Sequence, residues 1–331
     1  MSTGRMLGFA MLALALATAG CAADAGSDAP AEGRSATRVF KAANGDITIP
    51  ADPRRVVATG YAVPVLIEAG APLTGISTWK RGVPLMDAKT RAAYDKLPKV
   101  AGDTAAETNY EAIANAKPDL IVIGVPTPVL ADIDLKRLQA IAPVVAIGPT
   151  VPSAWRELSQ RQADAAGALE GFDTAKTAYE TRAAELRKKY EKVLPGLKLA
   201  HVGAYGEVGK GTFQREFDRS WGTNIANDIG ATYYGQVKVK GGGSKDVSEY
   251  PSIEELPTAL GDADAITYSV GPDGAPLQAV QYVLDSALWK GLPAVKAGKS
   301  FAIRYTEAAT YGQALLTLDA LDKSLAPLAA Q

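Results

Sequence analysis

The sequence predicts an α/β protein of two lobes joined by one long helix. Short apolar runs alternate with helical stretches in residues 55–147, and the same alternation begins again in residues 199–326. Between these halves, residues 173–194 form a single helical stretch rich in alanine and charged side chains. Alternation at this spacing is typical of parallel βαβ units, so each half is expected to build its own sheet flanked by helices.

The chain begins with a segment typical of export. Residues 6–20 form an uncharged apolar run that ends in small side chains directly before Cys21, the only cysteine. The run is too short to span a bilayer but suits the apolar region of a secretory signal. It resembles the lipobox of bacterial lipoproteins, although Thr18 stands where leucine is more usual. That resemblance implies a signal peptide over residues 1–20 and acylation of Cys21; an ordinary secretory leader is the alternative.

A flexible tether is expected over residues 21–37. These residues are mostly small and polar and include no aromatic side chain. They cannot bury enough apolar surface to offset the entropy lost on ordering. Two acyl chains on Cys21 would give a stable anchor. We therefore expect a lipid-anchored protein on the outer face of the cytoplasmic membrane.

The overall composition indicates a globular domain pair without affinity for nucleic acid. The chain has 331 residues, of which 47% are apolar and 21% charged, enough for two medium-sized domains. Lys and Arg together number 35 and Asp and Glu 36, a balance that excludes a polybasic nucleic-acid binder. No second long apolar run follows the leader.

Strands in the first half are predicted where apolar residues run together. Residues 120–124 are continuously apolar, as expected of a strand that is covered on both faces. Asn109 is the expected N-cap of the helix that follows it, with Glu111 in the first turn. The predicted strands are residues 55–59, 73–77, 120–124 and 144–147, and the predicted helices are residues 64–69, 110–116 and 134–141.

Two helices are predicted between the halves. Residues 153–169 form the first, with Gly167 and Gly171 as interruptions, and Asp173 is the expected cap of residues 173–194. Roughly 22 helical residues span on the order of 33 Å, enough to join two domains, although an ordinary surface helix is the alternative. In the second half the predicted strands are 199–202, 265–269 and 300–304, and the predicted helices are 221–229, 253–260, 279–285 and 312–326.

Several motifs, taken in order, resemble one family. Residues 109–113 read NYEAI and residues 117–123 read KPDLIVI. Together they resemble a signature of the periplasmic-binding proteins that serve ABC importers of iron-siderophore complexes, haem and cobalamin. Further matches lie at residues 53–57, 66–75, 262–266 and 288–298.

This resemblance implies the architecture and the class of activity. The family has two Rossmann-like lobes, with central sheets flanked by helices, bridged by one long α-helix, and holds its ligand between the lobes. It implies an N-terminal lobe over residues 38–170, a bridging helix over residues 171–195 and a C-terminal lobe over residues 196–331. We expect a monomeric binding protein that delivers its ligand to an ABC permease and is not an enzyme.

The ligand site is expected beyond the carboxyl ends of the strands, where ligands of open α/β sheets bind. Tyr, Trp and Arg side chains there suit a bulky amphipathic ligand, because rings cover apolar linkers and guanidinium groups meet oxygens around a metal. With the family resemblance, this predicts a ferric siderophore, first of all of hydroxamate type, with no cofactor and no resident metal. The predicted contacts are Tyr61, Trp79, Lys80, Arg81, Thr127, Tyr205, Arg215, Trp221, Tyr268, Arg304 and Tyr305.

The family also implies two further roles. In the family's hydroxamate-binding branch, an arginine just before the N-x-E helix contacts the ligand. Residues 101–104 read AGDT here, so Arg81 or Arg215 is expected to contact the ligand in its place.

The family docks its permease through one carboxylate in each lobe. That implies Glu111 and Glu254, with Glu255 as the neighbouring alternative to Glu254. A capping role alone is the alternative for Glu111.

Other classes of function fit the sequence less well. A receptor for bare metal needs clustered ligands, and the only histidine, His201, lies in an apolar strand where a buried structural imidazole is expected. No Gly-x-Ser-x-Gly motif indicates a hydrolase. Residues 206–212 resemble a phosphate loop but have Gly211 where Ser or Thr is needed, and are interpreted as a mobile cleft loop. Haem or cobalamin remains the alternative ligand, with Tyr61, Tyr205 or Tyr305 as an axial ligand of haem.

Overall fold

Twelve strands make up the β-structure of the described chain. The computed structural model describes residues 36–205, 208–209 and 211–329. The strands are β1 (Thr37–Ala42), β2 (Gly45–Pro50), β3 (Val56–Gly60), β4 (Leu73–Ser77), β5 (Lys99–Ala101), β6 (Leu120–Gly124), β7 (Val144–Ala146), β8 (Leu199–Gly203), β9 (Gln214–Glu216), β10 (Ser248–Glu249), β11 (Ala265–Ser269) and β12 (Ser300–Ile303).

Twelve α-helices within the same residues flank these strands. They are α1 (Ala62–Glu68), α2 (Ala88–Lys96), α3 (Tyr110–Asn115), α4 (Leu135–Gln139), α5 (Trp155–Ala165), α6 (Leu169–Tyr190), α7 (Asn224–Asp228), α8 (Leu256–Leu260), α9 (Gln278–Asp285), α10 (Ala287–Gly291), α11 (Pro293–Lys296) and α12 (Tyr311–Ala329).

Two five-stranded sheets form the centres of the two lobes, as predicted. The first has the order β5-β4-β3-β6-β7 and is parallel throughout. The second has the order β10-β9-β8-β11-β12, in which β8, β11 and β12 are parallel and β9 and β10 run antiparallel. In both five-stranded sheets the strand that comes first in the chain, β3 or β8, lies at the centre. The loops after these central strands therefore face the site described below.

Helices cover both faces of the first sheet, which explains its continuous apolar strands. Val56 and Val122 pack in one core with Leu66 of α1, while the neighbouring Val57 and Ile121 pack in another core with α3 and α4. Side chains alternate between the faces of a strand, so both sets must be apolar when both faces are buried. The prediction for residues 120–124 is confirmed.

The long helix α6 begins earlier than predicted. It has 22 residues from Leu169 to Tyr190, so Asp173 lies inside it and is not its cap. Gly171 lies inside the helix as well: a Cβ at this position would come 2.2 Å from the carbonyl oxygen of Ala69. The glycine therefore permits close packing of α6 against the end of α1 rather than interrupting the helix. Leu186 and Tyr190 of α6 share a buried core with Leu318 of α12.

Polar contacts join helices of the two halves. Glu68 at the end of α1 accepts hydrogen bonds from the Thr310 hydroxyl at 2.6 Å and from the Gly312 backbone N–H at 2.9 Å. Arg156 of α5 donates to the Asp228 carboxylate of α7 at 2.5 Å. These partly buried, charge-assisted bonds hold α1 and α5 against the second half of the chain.

A two-stranded hairpin that the sequence patterns did not predict lies against the edge of the first sheet. β1 and β2 pair antiparallel. The turn between them carries Asn44, whose amide donates to the Val144 carbonyl and accepts from the Ala146 N–H, both at 2.9 Å. Asn44 thereby pairs backbone groups of β7 at the edge of the first sheet that would otherwise lack partners. β1 begins at Thr37, where the predicted tether ends.

The predicted leader lies outside the described residues. Cys21 and the tether as far as residue 35 lie there with it. From Ala36 to Ala329, leaving aside residues 206, 207 and 210, no helix has the length and apolarity that crossing a bilayer requires.

Candidate ligand-binding site

Four aromatic side chains from the two halves meet at the ends of the central strands. Tyr61 follows β3 as the N-cap of α1, and Trp79 follows β4. Tyr205 follows β8, and Trp221 lies between β9 and α7. All four belong to the predicted set, and we refer to them as the aromatic cluster.

The rings of the aromatic cluster contact one another across the two halves. The ring centroids of Tyr61 and Trp79 are 4.8 Å apart in an edge-on arrangement. Tyr61 also stacks parallel to Trp221 at 6.3 Å with an interplanar angle of 7°. Tyr205 lies 5.3 Å from Trp221. Offset and edge-on pairs at these distances are the favourable geometries for aromatic rings.

Neighbouring residues fix two of these rings. The backbone N–H of Trp79 donates to the Tyr94 hydroxyl at 2.9 Å, and a Cβ at Gly82 would come 1.9 Å from Trp79 Nε1. Gly82 is therefore needed to leave room for the indole. The Tyr205 N–H donates to the buried Gln214 side chain at 2.6 Å. The backbone at both residues is thus held by contacts beyond the site, and the Trp79 indole packs against Gly82.

Arg81 lies over three of the rings. Its guanidinium carbon is 4.5 Å from the centroid of Tyr61, 4.9 Å from that of Trp79 and 5.8 Å from that of Tyr205. It also donates a hydrogen bond to the Tyr61 hydroxyl. Cation–π contacts of this kind are strongest where water is excluded. Arg81 is itself exposed, so one side of the guanidinium remains accessible to a ligand.

The polar groups of the cluster are hydrogen-bond donors. Burial raises the pKa of Tyr61 far above its usual value despite the opposing charge of Arg81, so the phenol keeps its proton. Its hydroxyl lies 3.5 Å from that of Tyr205. Trp221 Nε1 is buried and has no hydrogen-bond partner in the described part of the chain. A buried donor without an acceptor is unusual in a folded protein.

Glu307, which the sequence patterns did not single out, lies within electrostatic range of Arg81. It follows β12 and the turn at Tyr305, whose φ of 60° redirects the chain. Burial raises the pKa of the Glu307 carboxyl and the charge of Arg81 lowers it. Glu307 lies two residues after the predicted Tyr305. The expectation that ligands bind beyond the carboxyl ends of the strands could therefore have included it.

Other predicted contacts lie in the second half but apart from the aromatic cluster. Arg215 is held within its own lobe, over the rings of Phe217 and Tyr234 and 3.8 Å from the Glu249 carboxylate. Tyr268 packs edge-on against Trp289 at 5.9 Å.

Arg304 and Tyr305 line a separate cavity of about 470 Å³ between β12 and α12, together with Val270, Gly274, Ala302, Leu316, Asp319, Ala320, Lys323 and Ser324. Arg304 also donates to the Asp273 carbonyl at 3.2 Å. Neither residue contacts the rings of the aromatic cluster through a stacking or cation–π pair within the described residues.

Two predicted contacts of the first half, Lys80 and Thr127, are exposed. The Lys80 N–H donates to Asp103 at 2.8 Å, and Thr127 begins a 3₁₀ turn that runs to Asp132. The structure therefore brings together five of the eleven predicted residues: the aromatic cluster and Arg81.

Two buried titratable groups lie in the second sheet. His201 is fully buried, with its ring nitrogens 2.7 Å from the Thr267 hydroxyl and 3.0 Å from the Ser269 hydroxyl, and burial lowers its pKa to about 3. Glu216 accepts a hydrogen bond from the Gly222 N–H, and burial raises its pKa to about 7. Outside the residues left undescribed, no group of three or more His, Cys, Asp or Glu side chains could hold a metal ion.

The predicted docking carboxylates are exposed on separate halves. Glu111 lies in the first turn of α3, whose N-cap Asn109 accepts from the Ala112 N–H as predicted. Glu254 lies in a short 3₁₀ turn before α8. The neighbouring Glu255 already has partners, because it closes a capping box on Ser252 and forms an ion pair with Lys238 at 3.2 Å.

Sequence comparison identifies the family. The sequence model of the periplasmic binding protein family matches residues 56–305. The chain is a periplasmic binding protein. Membership in this family makes it a solute receptor that acts outside the cytoplasm and not an enzyme, in agreement with the prediction.

Characterised relatives bind iron complexes. This periplasmic binding protein is similar to the iron(3+)-hydroxamate-binding protein YxeB of Bacillus subtilis, with 26% identity over 88% of this chain and 85% of that protein. The iron(3+)-hydroxamate-binding protein FhuD of the same organism is 28% identical over 88% and 86%. The siderophore periplasmic binding protein from the fuscachelin gene cluster of Thermobifida fusca is 30% identical, with a TM-score of 0.67 over 84% of this chain and 98% of that one.

Proposed function

We propose that this periplasmic binding protein captures a ferric siderophore between its lobes, first of all one of hydroxamate type, and delivers it to an ABC permease. The observation that carries the proposal is the aromatic cluster with Arg81, assembled from both halves at the ends of the central strands. Relatives named for iron(3+)-hydroxamate binding support the same class of ligand.

The chemistry of the site suits an intact chelate. The rings of the aromatic cluster offer apolar faces to the linkers of a siderophore. Arg81 and the Tyr61 hydroxyl offer polar contacts to the oxygens around the iron. A ferric hydroxamate complex is close to neutral, whereas a ferric catecholate is strongly anionic. The single arginine, opposed by Glu307, favours the former.

Anchoring and delivery complete the proposal. Cys21 carries the acyl chains after removal of residues 1–20, and residues 21–37 tether the protein to the outer face of the membrane. The lobes of residues 38–170 and 196–331 work as a monomer around the bridging segment 171–195. Glu111 and Glu254 meet arginines of the permease, one in each lobe.

Parallel titrations followed by tryptophan fluorescence test the proposed ligand class. The ligands are ferrioxamine, ferrichrome, a ferric catecholate, haem and cobalamin. Trp79 and Trp221 lie in the aromatic cluster, so a ligand bound there quenches their emission. We expect saturable quenching by the two hydroxamates at concentrations at least about tenfold lower than by the others. Tighter binding of haem or cobalamin would show that the ligand is that compound and not a ferric siderophore.

A further inference from the structure

The aromatic cluster encloses a cation that belongs to the protein itself. Tyr61, Trp79 and Tyr205 each present a ring within 5.8 Å of the Arg81 guanidinium carbon. Several aromatic rings around one positive charge form the arrangement by which proteins recognise ammonium groups. The geometry therefore has the properties of a cation-binding cage, occupied in this structure by Arg81.

Glu307 is a carboxylate whose charge acts on the Arg81 of this cage. Its charge contributes to raising the pKa of Arg81, so the two side chains lie within electrostatic range of each other. They form no ion pair within 4.0 Å, and Glu307 has no hydrogen-bond partner among the residues the structure describes. A half-buried carboxylate without a direct partner is costly unless a cation comes close to it.

We propose that the cage of Tyr61, Trp79 and Tyr205, with the charge of Glu307 near it, is a subsite for a protonated amine, and that the ligand is a ferric siderophore that carries one. The ammonium takes the place that the Arg81 guanidinium holds in this structure, and Arg81 moves to the oxygens of the chelate. This inference rests on the proposed function and specifies in addition that the ligand carries a positively charged amine.

The exchange conserves charge within the cage. One cation replaces another against the same rings and the same carboxylate, so no new charge is buried. Arg81 is exposed and its long side chain is held by ring contacts and one hydrogen bond to a side chain. It is therefore free to turn toward the iron-bound oxygens, where a guanidinium binds well.

A matched pair of ligands tests the cage. Ferrioxamine B ends in a primary amine, and its N-acetyl derivative has the same chelate with a neutral amide in that place. We expect the wild-type protein to bind ferrioxamine B about tenfold more tightly than the acetylated complex. In Glu307→Gln this ratio should fall below about threefold. Glu191→Gln removes an exposed carboxylate at the end of α6 and should retain the full ratio.

The outcomes separate the two proposals. Equal binding of both complexes by the wild-type protein would overturn the cage and leave the siderophore function standing. An unchanged ratio in Glu307→Gln, with a normal thermal melt, would also overturn it, because the carboxylate would then have no part in recognition. If neither complex binds at all, the proposed function itself is contradicted, and the cage with it.

Discussion

A double variant, Glu111→Arg with Glu254→Arg, is expected to lose iron uptake while it retains ligand binding. Both side chains are exposed, one on each half, and neither contacts the aromatic cluster. Arginines at these positions would face the arginines proposed on the permease, and like charges at an interface cost several kcal/mol. Uptake of iron-labelled siderophore in cells that carry the cognate permease should fall at least about 100-fold.

The matched control exchanges two other exposed carboxylates. Glu157→Arg with Glu191→Arg makes the same change in net charge on α5 and at the end of α6. This control should transport at the wild-type rate, and both double variants should bind the siderophore with unchanged affinity. Wild-type uptake by the Glu111 and Glu254 variant would refute the docking assignment.

The wild type is expected to lose stability as the pH rises to neutral, and the Glu216→Gln variant is expected to avoid this loss. Burial raises the pKa of Glu216 from 4.5 to about 7 in the folded chain. The folded state therefore holds this proton where the unfolded state has released it. Its contribution to stability is fully present below pH 4.5 and is lost as the pH rises through 7. The free energy of unfolding of the wild type should thus fall by about 3 kcal/mol relative to the variant across this range.

Denaturant unfolding of both proteins from pH 4.5 to pH 8 measures this difference. Glu68, whose pKa burial also raises, and His201 are present in both proteins, so their effects cancel in the comparison. Glu157→Gln, an exposed carboxylate on α5, should follow the wild type at every pH. A constant difference between wild type and Glu216→Gln would show that Glu216 does not hold its proton in the fold.

Strong local patterns made most of the fold predictable. The predicted strands 73–77, 120–124 and 265–269 match β4, β6 and β11 to the residue, because each is a short apolar or β-branched run between helices. The strands β5, β9 and β10 escaped prediction since they have only two or three residues and include Lys99, Gln214 and Arg215. Their pairing depends on neighbouring strands rather than on their own sequence.

Helix boundaries were harder to predict where tertiary contacts decide them. The predicted helix over residues 221–229 is limited to α7, because residues 220–223 form turns stabilised by Thr223. The predicted helix over residues 153–169 ends at Ala165, and Gly167 with φ of 68° separates α5 from α6. These breaks depend on hydrogen bonds and close packing that periodicity does not reveal.

The site was partly predictable because strand ends mark it. The expectation that ligands bind beyond the carboxyl ends of the strands selected the aromatic cluster and Arg81. It also selected Arg215 and Tyr268, whose side chains turn into their own lobe. Side-chain direction at the end of a strand depends on the local turn, which the sequence does not determine by itself. Glu307 was missed because no family motif or aromatic pattern drew attention to it.

A crystal structure of the protein with ferrioxamine B tests the central claim most directly. We expect one intact ferric complex between Tyr61 and Trp79 on one side and Tyr205 and Trp221 on the other, with the siderophore unmodified. A complex bound instead in the cavity that Arg304 and Tyr305 line, or iron bound without its siderophore, would contradict it.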